Sequence, residues 1–269
     1  MKTFVATVFA LVISTTFLLG QQLQTKQAPL PCLNKKFSIV VHIVKDSLGN
    51  TNVDLAQIEN SIDTLNVYFE PICVSFEVCD VREIDNFRYD FLRNQNEWSE
   101  LQVQYHEKSR INLFFVEDIA FEPFACGFAT PSGINILDEG GILIKKNPAC
   151  FFPGNTAIPH EMGHYFGLLD TYEGNGIELV DGSNCETEGD QICDTPADPY
   201  TEGQLLEIYI DVSLGCRFIY TVPDANGQNY IPHVGNIMSF YPNSCHCGFT
   251  YGQYVRMANT CLSGEGRMW

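Results

Sequence analysis

The stretch HEMGHYFGLLD, residues 160–170, constrains this chain more than any other part of it. Residues four apart share one face of a helix, so His160 and His164 direct their rings to one point. Gly167, three residues further on, permits the left-handed turn that ends a helix. The chain can then double back and bring Asp170 to the same point. Any fold for this sequence must therefore provide a helix over about 156–167, a reversal at Gly167 and a returning segment.

Those residue types at that spacing suit a metal. Neutral imidazole is the usual zinc ligand, and two of them leave room for a third protein ligand and a water. A carboxylate oxygen binds zinc at about 2.0–2.2 Å, close to the distance for a histidine nitrogen, so Asp170 can serve as the third ligand. Its charge partly neutralises the metal and weakens polarisation of a bound water. Glu161 stands beside the first ligand, placed to take a proton from that water and pass it to a leaving amine. The plainer reading is a helix that carries two histidines by chance. Gly167 and the ionisable residue at 170 favour the metal site.

The pattern resembles the metzincin signature, H-E-x-x-H-x-x-G-x-x-H/D followed by a methionine turn. GNIMSFYPNSC (235–245) resembles that turn, with Met238 as its methionine. CDTPAD (193–198) and FTYGQYVRM (249–257) are similar to segments of the pappalysin branch, the cytophagalysin-like secreted peptidases. The resemblance implies an α+β, metzincin-like (zincin) catalytic domain. It would have a twisted, mainly parallel sheet with backing and active-site helices, then a loop-rich, disulfide-pinned carboxy-terminal subdomain. It also implies a secreted zinc endopeptidase acting on extracellular polypeptides, with Glu161 catalytic and His160, His164 and Asp170 on the metal. Met238 would form an apolar floor that does not bind zinc. By the same resemblance Cys245 bridges to the loop after the helix, with Cys216 as its partner, and Cys185 and Cys193 are further candidates.

Three positions depart from the pappalysin pattern. Its third ligand is histidine, whereas residue 170 is aspartate. Its tyrosine two residues after the methionine, which can assist the oxyanion, is here Phe240, with tyrosine one place later at Tyr241. A one-residue shift in an extended segment reverses the side chain. Tyr251 replaces the usual proline of the last helix, where proline is only favoured.

The remaining composition narrows the partners. Lys2 followed by FVATVFALVISTTFLLG reads as a secretory signal over 1–20, cut before Gln21, and too short for a spanning helix. The net charge is −18, one unit more negative without Lys2. No basic cluster offsets it, which argues against nucleic acid and anionic lipid. Eleven cysteines in an exported chain argue for disulfides, with at least one left over. Cys73 and Cys79 lie in one extended run and cannot pair with each other.

Along the chain, 37–45 reads as a buried strand. Leu55, Ile58, Ile62, Leu65 and Phe69 mark an amphipathic helix. Strands follow at 72–81, 111–117 and 141–145, with a weak helix at 97–108. GGILIK (140–145) is either the edge strand that would pair with substrate or an interior one. Residues 171–235 read as loops, and Thr250 with Gln253 as a capping box for a last helix. The expected organisation is a signal peptide at 1–20 and an amino-terminal segment at 21–34. A catalytic domain follows at 35–269, with subdomains 35–167 and 168–269.

Other features stay open. Asp181, Glu186, Glu188, Asp190, Asp194 and Asp198 offer hard oxygen ligands for Ca2+, or form a solvated acidic loop in which Asp194 caps a turn. Cys32 is a removable thiolate plug on the zinc, a structural bridge or a spare thiol. His42 reads as a core or edge histidine, while His233 near the methionine turn could reach the cleft. Competing functions are a catalytically silent binding module on the same fold and a zinc amidase acting on a non-protein amide.

Overall fold

The computed structural model describes residues 28–136, 139–147, 150–152 and 154–263; the expected signal at 1–20 lies outside them. Two apolar runs found the sheet. They are β1 (Lys35–Val44) and β4 (Ile111–Val116), and every residue of β4 is buried. Strands with both faces covered read as near-continuous apolar runs because βαβ crossovers place helices on either side. Around these two lie α1 (Leu55–Phe69), β2 (Val74–Ile84), β3 (Phe91–Leu92), α2 (Gln95–Tyr105), β5 (Asp118–Ile119), β6 (Gly127–Ala129) and β7 (Ile142–Lys145). Then follow α3 (Ala157–Tyr165), the short β8 (Ile210–Asp211) and β9 (Arg217–Phe218), and α4 (Tyr251–Ser263).

The main sheet runs β2-β1-β4-β7-β6. Its first four strands are parallel, and β6 pairs antiparallel with β7. This puts GGILIK in the interior of the sheet, and the edge beside it belongs to β6. Both α1 and α3 pack on one face: Ile58, Ile62, Leu65, Ile158 and Met162 join Phe37, Ile39 and Val41 in one buried cluster. On the other face, Trp98 and Leu101 of α2 close over Val44, Phe114 and Leu143. Asp54 and Asn94 cap α1 and α2 by accepting from backbone N–H groups of the first turn.

After Leu168 regular structure nearly ends. Residues 169–250 hold only short strands and turns, around an aromatic cluster of Tyr200, Tyr209, Ile210 and Tyr241. The loops are stapled by Cys185–Cys193 and Cys216–Cys245. Helix α4 returns to the main core through Met257 and Cys261. Its capping box forms in both directions: the Thr250 N–H donates to Gln253 Oε1 at 2.9 Å, and the Gln253 N–H donates to Thr250 Oγ1 at 3.1 Å. Asp194, expected to cap a turn of its own loop, accepts from Thr250 Oγ1 and from the Gly252 N–H at the start of α4.

Cys32 is bonded to Cys73 and Cys126 to Cys150, which leaves Cys79, Cys247 and Cys261 free. Cys32 is therefore a structural bridge, with no thiolate to offer a metal. Cys79 sits at the β-bulge where the β1–β2 register shifts.

Candidate active site

Three elements converge on the cleft. Helix α3 carries His160, Glu161 and His164, and it ends as the motif demands. Gly167 has φ +87°, its N–H donates to His164 O at 2.9 Å, and the Leu168 N–H donates to Gly163 O at 3.0 Å. That reversal delivers Asp170 to the histidines. Below them, Met238 is fully buried. A Cβ at Gly163 would lie 2.5 Å from Met238 Sδ, so only glycine lets α3 settle on the methionine. The Met238 N–H is held by Asn236 Oδ1 at 2.9 Å, fixing the turn.

Each imidazole is oriented through Nδ1, which donates to a backbone carbonyl: Ile237 O at 2.7 Å for His160 and Leu168 O at 3.0 Å for His164. A carbonyl only accepts, so Nδ1 carries a proton, and in the neutral ring that leaves the Nε2 lone pair for a metal. These two nitrogens face each other at 3.1 Å. Asp170 Oδ1 lies 3.3 Å from His160 Nε2 and 3.5 Å from His164 Nε2. This oxygen is buried with no hydrogen-bond partner.

With both rings neutral, three lone-pair atoms meet at one point. Such an arrangement calls for a positive charge at its centre, and its two nitrogens and one carboxylate oxygen are a zinc donor set. Among the described residues this is the only group of three His, Cys, Asp or Glu ligand atoms within 4.8 Å of one another. Burial disfavours charge on the imidazoles, yet the Asp170 carboxylate outweighs it and raises both, His164 to about 9. Against burial, the two imidazoles hold the Asp170 carboxyl far below the usual range. The acidic loop is built differently. Asp190 accepts from the Ile192 N–H, Asp198 from Thr171, Tyr200 and Tyr241, and Asp181 from Ser183.

The cleft is a cavity of about 510 Å³ whose walls include both histidines, Glu161, Asp170, Tyr172 and edge strand β6. Glu161 is buried, and burial raises its carboxyl above the ordinary value. A Cβ at Gly127 of β6 would lie 2.6 Å from Glu161 Cγ, so this edge glycine makes room for the carboxylate. Tyr241 borders the cleft, but it is buried and its hydroxyl donates to Asp198 Oδ1 at 2.8 Å.

Sequence reasoning missed two residues. His246 lines the cleft, whereas His233 does not. The His246 Nδ1 lies 2.6 Å from Thr156 Oγ1 at the start of α3, which ties the segment after the methionine turn to the active-site helix. Tyr172 also lines the cleft. Burial, then the charge of Asp170 and a hydrogen bond with it, push the Tyr172 phenol far up.

Residues 140–262 match the sequence family described as pregnancy-associated plasma protein-A, the M43 peptidases. An extracellular metalloprotease of Colletotrichum graminicola is 24% identical over 230 residues, covering 80% of this chain and 72% of that protein. One of Neurospora crassa is 26% identical over 245 residues, covering 82% and 73%. The chain is a zinc metalloendopeptidase. Its fold is that of mature mirolysin from Tannerella forsythia, solved with a cleaved peptide. The TM-score is 0.50 at 16% identity, over 84% of this chain and 91% of the other. Among the described residues, no helix of this peptidase is long and apolar enough to cross a membrane.

Proposed function

We propose that this peptidase is secreted and cleaves extracellular polypeptides, with zinc held by His160, His164 and Asp170 and with Glu161 as general base. The observation that carries the reading is the meeting of the two Nε2 atoms with Asp170 Oδ1, an oxygen buried without a hydrogen-bond partner. When bound there, zinc supplies Lewis-acid polarisation of the scissile carbonyl and of the attacking water.

The protein's own groups do the rest. The carbonyls of Ile237 and Leu168 keep the imidazole protons on Nδ1, so both Nε2 atoms stay available as ligands. Edge strand β6, paired on one side only, offers backbone groups to an extended peptide as an added strand. Glu161 takes one proton from the attacking water as its oxygen bonds to the carbonyl carbon. It then gives that proton to the amine nitrogen as the C–N bond breaks, so the carboxylate is regenerated. A silent binding module or a purely structural zinc site has no use for a buried base beside the first ligand, and Glu161 weighs against both.

Glu161→Gln is the test. The amide keeps the shape but cannot accept the proton, so kcat/KM should fall about 10²–10⁴-fold with zinc content and melting temperature unchanged. Turnover within a few-fold of the parent, on the same peptides and with chelator controls, would remove Glu161 from the mechanism.

A further inference from the structure

We infer that Phe124 is a specificity-determining residue: its ring, fixed and exposed at the mouth of the cleft, receives a large apolar side chain of the polypeptide substrate. The inference rests on the proposed use of this cleft.

A single apolar side chain left in water on an open surface needs no explanation. Phe124 stands elsewhere. It is 61% exposed, yet it lines the same cavity as Glu161 and Asp170. The ring also reaches toward the opposite wall, which belongs to the loop half. A Cβ on Gly203 there would stand 3.7 Å from Phe124 Cε2, an ordinary van der Waals contact. One edge of the ring therefore approaches the far wall while the rest stays open to the cavity.

The loop that carries it is tied down on both sides. Lys145 of β7 is buried, and its ammonium pairs with Asp118 at 3.1 Å. The same group donates to Glu122 O at 3.0 Å and to Pro123 O at 3.4 Å. The Lys145 N–H donates to Cys126 O at 2.9 Å, and Cys126 is bonded to Cys150. Phe121 stands edge-on to Phe128 of β6, with 5.4 Å between centroids. Pro123 restricts the backbone immediately before Phe124. A contact surface already ordered loses little freedom when a peptide covers it.

Place in the chain sets which part of the substrate meets the ring. Gly127, the first residue of β6, stands beside Glu161. Phe124 precedes it by three places, at most about 10 Å of chain. The ring thus meets the substrate within about three residues of the scissile bond. The charged residues on the cavity wall, Glu122, Glu161, Asp170, Glu173 and Glu202, are all acidic. They repel an acidic side chain, and the ring rewards an apolar one.

The experiment uses the mature, zinc-loaded chain and peptides varied one position at a time around a fixed scissile bond. Each position carries leucine, alanine, glutamate or arginine in turn. In the parent, one position within about three residues of the bond should favour leucine over alanine by about 10-fold or more in kcat/KM, with glutamate poorest. Phe124→Ala should bring that ratio to within about 2-fold and keep the ratios at other positions. Phe124→Leu, which retains an apolar side chain, should keep most of it. Phe87→Ala removes a ring of similar exposure, 63%, outside the cavity and should leave every ratio where it was. A leucine preference that survives Phe124→Ala would overturn the inference, as would an equal fall at every position. So would a parent that favours arginine over leucine at that position, which would assign recognition to the acidic residues. Parent-like turnover by Glu161→Gln would instead remove the proposed use of the cleft, and this inference with it.

Discussion

The sheet half and the loop half of this peptidase satisfy the same requirement by different means. In β1 and β4 the backbone polar groups pair with neighbouring strands, and apolar side chains fill both faces. Beyond Leu168, aspartate does much of that work. Asp181, Asp190, Asp198, Asp211 and Asp224 each accept from the N–H two residues ahead, and Asn236 does the same under Met238. Such turns replace a ladder wherever the chain must reverse. Several of these carboxylates are buried, among them Asp190 and Asp198. The lesson is that the proposed metal site straddles two kinds of stability: His160 and His164 sit on a helix packed on the sheet, and Asp170 sits on turns held by carboxylates and disulfides.

That contrast can be broken at its strongest point first. Cys216→Ser with Cys245→Ser opens a link of sequence separation 29. The chain-entropy relation puts its contribution at about 3–4 kcal/mol. Denaturant unfolding should show a loss of that order. Hydrogen exchange should show lost protection across 171–235 while the amides of β1 and β4 keep theirs. Equal loss in both halves would mean that one cooperative unit spans the molecule and that the contrast is only one of appearance.

A smaller effect sharpens the chemistry. Glu178 is buried in the loop half. Burial, with the nearby Asp190 and Asp198 charges, pushes its carboxyl up to about 8, and burial pushes Asp190 up to about 7. A carboxyl raised in the folded state binds more protons there than when unfolded. Its stabilising share is whole below the unfolded value, near 4.5 for glutamate, and is lost as pH rises to about 8. Glu178→Gln removes that loss. The variant should therefore melt close to the parent at pH 4.5 and above it at pH 8, by about 2–4 °C for each kcal/mol recovered. A constant difference across that pH range would show that Glu178 does not titrate in the window.

How far the sequence could be read follows the same divide. Helix α1 was legible because burial falls on one face, at Ile58, Ile62, Leu65 and Phe69. Strands β1 and β4 were legible as apolar runs. Helix α3 and the Gly167 reversal were legible because a ligand-bearing turn allows few residue types. The edge strand was not: β6 is three residues, GFA, too short to show a period, and the stronger run 141–145 drew attention to the interior strand instead. In the loop half, spacing could not reveal which carboxylates turn inward. Tyr241 and Asp198 form a pair 43 apart in sequence, and no local pattern announces it. Tyr172 reaches the cleft wall through a turn of only a few residues, which no local pattern announces.

The central claim is that Asp170, delivered by the loop half, completes a zinc site begun by the sheet half. Zinc content after dialysis against a mild chelator tests it most directly, in the parent and in Asp170→Ala. The parent should keep one zinc per chain, and Asp170→Ala, left with two histidines on one helix, should lose it. An Asp170→Ala protein that keeps one zinc as tightly as the parent would place the third ligand elsewhere and contradict the account.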